Sequence, residues 1–153
     1  MTYISAGKQK GCLFCRQWGT NDKRGALVLA RTPEAIVSLN RFPYANGHLM
    51  VAPRRHTKDL FALDEARYGE LMEVVRSSAA ILSRMFRPQG MNIGINVGRA
   101  AGAGIAAHLH WHLVPRWTGD TNFMPMIGEV VVMSEHLEAV YDRLRPHFER
   151  LEA

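Results

Sequence analysis

From position 108 the chain reads His108-Leu109-His110-Trp111-His112-Leu113-Val114-Pro115-Arg116. Such strict alternation of polar rings and large apolar residues fits an extended strand, whose successive side chains point to opposite faces. His108, His110 and His112 then line one face, while Leu109, Trp111 and Leu113 face a core on the other. Neighbouring histidines would lie on the order of 6.5–7 Å apart, so adjacent imidazoles can serve different atoms of one extended ligand, such as a chain of phosphates. An imidazole with its ordinary pKa of about 6.5 is neutral and nucleophilic near pH 7. It can attack phosphorus to form a phosphoramidate and so split one displacement into two. A neighbouring protonated histidine can donate hydrogen bonds where charge develops. A solvated surface strand or an adventitious metal site would also place histidines in a row, but neither calls for the large apolar residues between them.

The rest of the chain supplies a scaffold of ordinary size. Its 153 residues argue for one domain over 1–153. With 47 % hydrophobic and 22 % charged residues, disorder is excluded as a reading. Short apolar runs at 26–31, 35–39, 47–52, 91–97, 109–116 and 130–133 read as strands. The helical period appears over 64–86, with Tyr68, Leu71, Met72, Val75, Ala79, Leu82 and Phe86 on one face. Asp64 is placed to cap its start, and Pro88 with Gly90 to stop it. A second amphipathic helix is expected over 134–145, interrupted by Pro146. The fold class is therefore α+β: a mostly antiparallel sheet of about five strands with two helices. No apolar run approaches the roughly 18 residues of a membrane span. The opening Met1-Thr2-Tyr3-Ile4-Ser5-Ala6-Gly7-Lys8 lacks an apolar signal core, so a soluble cytoplasmic protein without membrane partners is expected.

Two features beside the ladder bear on its ligand. The stretch Asn96-Val97-Gly98-Arg99-Ala100-Ala101-Gly102-Ala103-Gly104 is a small-residue turn directly upstream, whose backbone N–H groups can hold an anion. The formal charge is +5, and fifteen of the nineteen basic residues are arginine, whose fork suits phosphate. The arginines are scattered, however, without the run that marks a nucleic-acid arm.

These motifs resemble the histidine triad (HIT) superfamily of nucleotide hydrolases and nucleotidyl transferases. The ladder followed by Pro115-Arg116 is one part of the likeness. Asn40-Arg41-Phe42-Pro43-Tyr44-Ala45-Asn46-Gly47-His48-Leu49-Met50-Val51 is the other, and the resemblance spans roughly residues 12 to 123. The Gly98–Ile105 region and the segment from Pro115 to Pro125 look most like the bacterial diadenosine tetraphosphate phosphorylase branch. The resemblance implies a HIT fold and cleavage of dinucleoside polyphosphates at the α-phosphorus, with phosphate or water as acceptor. By motif position His110 is the nucleophile, His112 contacts phosphate oxygen, and His48 supports both from a neighbouring strand. Asn40 matches the ribose-binding residue and Asn96 the polar residue beside the phosphates. The chain departs from the family at Ala101-Gly102-Ala103-Gly104-Ile105, where many members carry a glutamine and a hydroxyl. Backbone N–H groups around Gly102, Ala103 and Gly104 are expected in their place. The resemblance also implies pairing as a homodimer.

Cys12-Leu13-Phe14-Cys15 is a C-x-x-C pair without the βαβ context of a redox motif. Two thiolates are half of a tetrahedral zinc shell. Some HIT relatives complete such a shell with a histidine after the third strand and the first triad histidine, here His56 and His108. A structural zinc is the cofactor so implied. Two other functions use the same residues: a nucleoside phosphoramidase, and a non-catalytic zinc-containing nucleic-acid-binding module. The second lacks a clustered basic run or aromatic platform.

Overall fold

A computed structural model describes residues 11–120 and 135–152. The strand expected at 130–133 lies outside them, as do residues 121–125 of the branch-like segment and most of the N-terminal tail. Five strands form one antiparallel sheet: β1 (Val28–Arg31), β2 (Ala35–Leu39), β3 (Leu49–Pro53), β4 (Gly90–Ile95) and β5 (Trp111–Arg116). Their spatial order is β1-β2-β3-β5-β4, so β5, the last in sequence, lies between β3 and β4. Among the described residues, β4 therefore ends the sheet.

The α-helices among the described residues are α1 (Leu13–Gly19), α2 (Glu65–Phe86) and α3 (Leu137–Phe148). Two of these were expected and α1 was not. It has seven residues, and Cys12 at its N-cap makes no side-chain capping bond, so the usual start signal is missing. Its helical character shows instead in the burial of Phe14 and Gln17, three residues apart. α2 starts where its cap predicts, with Asp64 accepting the Arg67 N–H at 2.9 Å. α3 runs through Pro146 to Phe148 rather than breaking there. The proline costs one bond in the last turn, while Phe148 is fully buried and Arg145 donates to the Leu29 carbonyl at 2.5 Å.

Period-two alternation gives the sheet two apolar faces. Val37, Leu39, Leu49, Val51, Leu109, Trp111 and Leu113 join the main core with α2 and α3. Ile36, Met50 and Ala52 point the other way and pack with Phe14 of α1. His112 pairs opposite Met50 on that second face. The ladder's polar side thus lies under α1 and its loops rather than under the long helices.

One glycine fixes how the chain enters β3. Gly47 has φ +76°, and a Cβ there would come within 2.9 Å of the Phe86 ring. Arg143 of α3 stacks on the same ring, its guanidinium carbon 4.3 Å from the centroid. The residue before His48 is thereby wedged against the end of α2.

Candidate active site

The regular strand begins only at Trp111, so His108 and His110 precede it. The alternation survives this irregularity. Leu109 is buried in the main core, and His108, His110 and His112 all turn to the α1 side. The rings approach more closely than backbone spacing suggests, with the His110 and His112 centroids 4.8 Å apart. His48 joins them at 5.1 Å from His112.

Hydrogen-bond partners assign the tautomers. His110 Nδ1 lies 2.9 Å from the His108 carbonyl, which only accepts, so Nδ1 carries the proton and Nε2 keeps a lone pair. His48 Nδ1 accepts the Tyr44 N–H at 3.1 Å, which puts its proton on Nε2. That Nε2–H donates to His112 Nδ1 at 2.9 Å, leaving His112 with an Nε2–H for a ligand. One imidazole is thus set as a nucleophile and its neighbour as a donor.

All three are held neutral. Burial lowers the His110 pKa from its ordinary value. Burial, then the nearby His110, push His112 down to about 4. Burial, then His112 and His110, push His48 down to about 3. The donor next to the nucleophile is therefore a neutral N–H in the free protein, not the cation anticipated from the sequence.

Folded-state pKa values below the unfolded value mean that stability is complete above about pH 6.5 and is lost as the pH falls through the folded values. At pH 4.5 His48 is two units below its unfolded pKa and still above its folded one, a loss of roughly 2.7 kcal/mol from this residue alone. Thermal melts from pH 7 to pH 4.5 should show the midpoint falling steadily. A flat profile would mean that these rings are not buried neutral.

Asn40 is 6 % exposed and sits beside His48. Its Oδ1 accepts the Phe42 N–H at 3.0 Å, and its Nδ2 lies 3.4 Å from His48 Nδ1. Asn40 therefore shapes the turn that carries His48. Asn96 reaches the site from the end of β4 and lines an open groove of about 300 Å³ with His112 and Tyr44. In the small-residue turn, the Gly102 N–H donates to the Arg99 carbonyl at 3.0 Å and the Ala103 N–H to the Gly98 carbonyl at 3.3 Å. Those two N–H groups serve the turn's own conformation, and Gly104 follows without a helical or strand role. The donors after the ladder are also engaged: Arg116 grips Asp120 through two bonds of 2.7 and 2.8 Å, and the Thr118 N–H donates to Gln89.

Cys12, Cys15, His56 and His108 offer four ligand atoms within 4.8 Å of one another. Cys12 Sγ is 3.2 Å from His108 Nδ1 and Cys15 Sγ is 3.3 Å from His56 Nδ1. Tetrahedral zinc with such ligands would set sulfur and nitrogen roughly 3.6 Å apart. His108 Nε2 lies 2.8 Å from the Pro53 carbonyl, so Nδ1 is the unprotonated nitrogen and faces the cysteines. Burial, then the adjacent Cys12, push the Cys15 thiol up, a tendency that a bound cation would reverse. Soft donors, spacing and tautomer all fit a metal ion.

Three contributors escaped the sequence reading. The Tyr44 ring lies 4.8 Å from His48 and 6.2 Å from His112, and its N–H fixes the His48 tautomer. Phe14 contacts both His108 and His110 at 5.2 Å. The Pro53 carbonyl orients His108. An aromatic four residues before His48, and one between two cysteines, were the available signals.

Comparison with known proteins gives the same family. Residues 22–119 match the HIT domain family. The chain is 41 % identical over 117 residues to a Mycobacterium tuberculosis protein named AP-4-A phosphorylase, covering 76 % of this chain and 60 % of that relative's length. Among solved structures it resembles a hypothetical histidine triad nucleotide-binding protein from Sulfolobus tokodaii, with a TM-score of 0.71, 26 % identity, and coverage of 92 % and 93 % of the two chains. A Zn-bound histidine triad family protein from Mycobacterium smegmatis superposes with a TM-score of 0.69 at 25 % identity, covering 92 % and 95 %.

Proposed function

The chain belongs to the HIT domain family, and on that premise we propose that it cleaves dinucleoside polyphosphates such as diadenosine tetraphosphate through a nucleotidyl-histidine intermediate. The observation that carries this reading is the tautomer pattern: a lone pair on His110 Nε2 beside a donor on His112 Nε2. The His110 lone pair attacks the α-phosphorus and forms an N–P bond. The bond from phosphorus to the bridging oxygen breaks, and its electron pair leaves on the departing nucleotide. The His112 N–H hydrogen-bonds that oxygen as charge develops, and His48 holds the ring in place. An acceptor oxygen, that of phosphate or of water that gives up a proton to solvent, then attacks the same phosphorus and returns the N–P electron pair to Nε2.

Cys12, Cys15, His56 and His108 would hold zinc in a closed shell, where it supplies a structural cross-link and no open coordination position. In this reading the protein acts on nucleotides in the cytoplasm as one domain, and two copies of the chain pair. Asn40 binds the ribose of the transferred nucleotide, and Asn96 lies beside the phosphates.

The likeness to a relative named as a phosphorylase favours phosphate as acceptor. With water, diadenosine tetraphosphate gives AMP and ATP; with phosphate it gives ADP and ATP. Adding millimolar phosphate should therefore divert product from AMP to ADP, as read by chromatography. A product ratio that ignores phosphate would leave a simple hydrolase.

A further inference from the structure

The groove at His112 does not end there. In the β4–β5 ladder His112 stands opposite Gly94, Val114 opposite Asn92, and Arg116 opposite Gly90. Residues directly opposite in an antiparallel pair share a face. A second groove of about 420 Å³ continues over the same ladder to Trp117, and the two share Asn92 and Arg116. From His112 to Arg116 the path is on the order of 13 Å, the scale of a nucleoside polyphosphate rather than of a single phosphate.

The floor of this channel is unexpectedly bare. Gly94 has no positive φ, and among the described residues a Cβ built on it would meet nothing within 4 Å. Neither the backbone nor packing among the described residues therefore calls for glycine at this position, where it weakens a strand at the edge of the sheet those residues form. Glycine in a strand often marks a place that a ligand or another backbone approaches closely. The bare stretch lies beside His112, with Tyr44 lining the catalytic end of the channel and Trp117 the other.

We propose that this channel holds the departing nucleotide of the substrate, and that Gly94 keeps its catalytic end open. The inference rests on the reading of the protein as a dinucleoside polyphosphate-cleaving enzyme and adds where the second half of that substrate lies. The Arg116–Asp120 pair forms part of the far wall, its charges already matched to each other.

The test compares two substrates that transfer the same nucleotide but lose different partners. Diadenosine tetraphosphate releases ATP, which must occupy the channel, whereas adenosine 5′-phosphoramidate releases ammonia, which does not. Gly94→Leu should lower the ratio of kcat/KM for the first over the second at least tenfold, and Gly94→Ala should lower it less. Thermal melts and sedimentation of both variants establish that fold and oligomeric state are kept. An unchanged ratio overturns the proposal. A parallel loss on both substrates also overturns it, because the face would then serve the transferred nucleotide or a second copy of the chain. Wild-type protein that cleaves neither substrate would instead remove the functional reading, and the channel with it.

Discussion

Replacing His110 with asparagine should reduce turnover of diadenosine tetraphosphate by on the order of 10⁴-fold or more, with nucleotide affinity changed only a fewfold. Asparagine is a demanding choice of replacement. Its side-chain N–H₂ can still donate to the His108 carbonyl, which now receives His110 Nδ1–H at 2.9 Å, so the local backbone need not rearrange. The amide, however, offers no nucleophilic lone pair in place of Nε2. A loss of 10⁴ corresponds to about 5.5 kcal/mol of transition-state stabilisation, more than removal of a single hydrogen bond accounts for. Reactions with labelled substrate, quenched in alkaline denaturant where the N–P bond survives, should show label on the wild-type chain and none on the variant. A variant that turns over near the native rate would remove the covalent mechanism.

His112→Asn is a different perturbation. His112 contributes a donor rather than the attacking atom, and removing one such donor typically costs about 10²–10³ in rate. The two losses should differ because hydrogen-bond partners, not sequence position, give the two rings opposite tautomers. His110 faces a carbonyl and His112 faces the Nε2–H of His48.

That distinction marks where sequence reading stops. Alternation between His108 and Leu113 is a property of a strand and needs no knowledge of its neighbours, so it was legible from the residues. So were α2, with its Asp64 cap, and the strands whose apolar runs end at turn residues. The tautomers depend on Pro53, Tyr44 and the His108 backbone, which approach the rings only through tertiary structure. α1 was hidden for a related reason. Seven residues are too few to form a helix on their own propensity, and this one is held by burying Phe14 against His108 and His110. Likewise, Pro146 reads as a break because an isolated helix would stop there, whereas packing of Phe148 carries α3 past it. The bare face at Gly94 is invisible without the register that sets it opposite His112.

Removal of the metal should produce the other large effect. Protein purified without chelators is expected to contain about one zinc per chain, and stripping it should lower the melting midpoint by about 10 °C or more. The size follows from linkage: a metal present at a thousand times its dissociation constant stabilises the fold by about 4 kcal/mol, and each kcal/mol shifts a domain of this length by about 2–4 °C. The four ligands come from the start of α1, the segment after β3 and the approach to β5, so the ion ties together elements that meet only in the folded chain. Without it, the two thiols lose their cation, and α1 keeps its apolar contacts and the hydrogen bonds of Gln17 to Ala26, Arg31 and Ser38. Phe14, carried between Cys12 and Cys15, would then pack less firmly against His110, and activity should decline together with stability. Cys12→Ser should reproduce both changes, and added zinc should rescue the stripped wild type but not the variant. Metal analysis that finds no zinc in freshly purified protein would remove this role for the four residues and leave α1 to be held by Phe14 and the hydrogen bonds of Gln17.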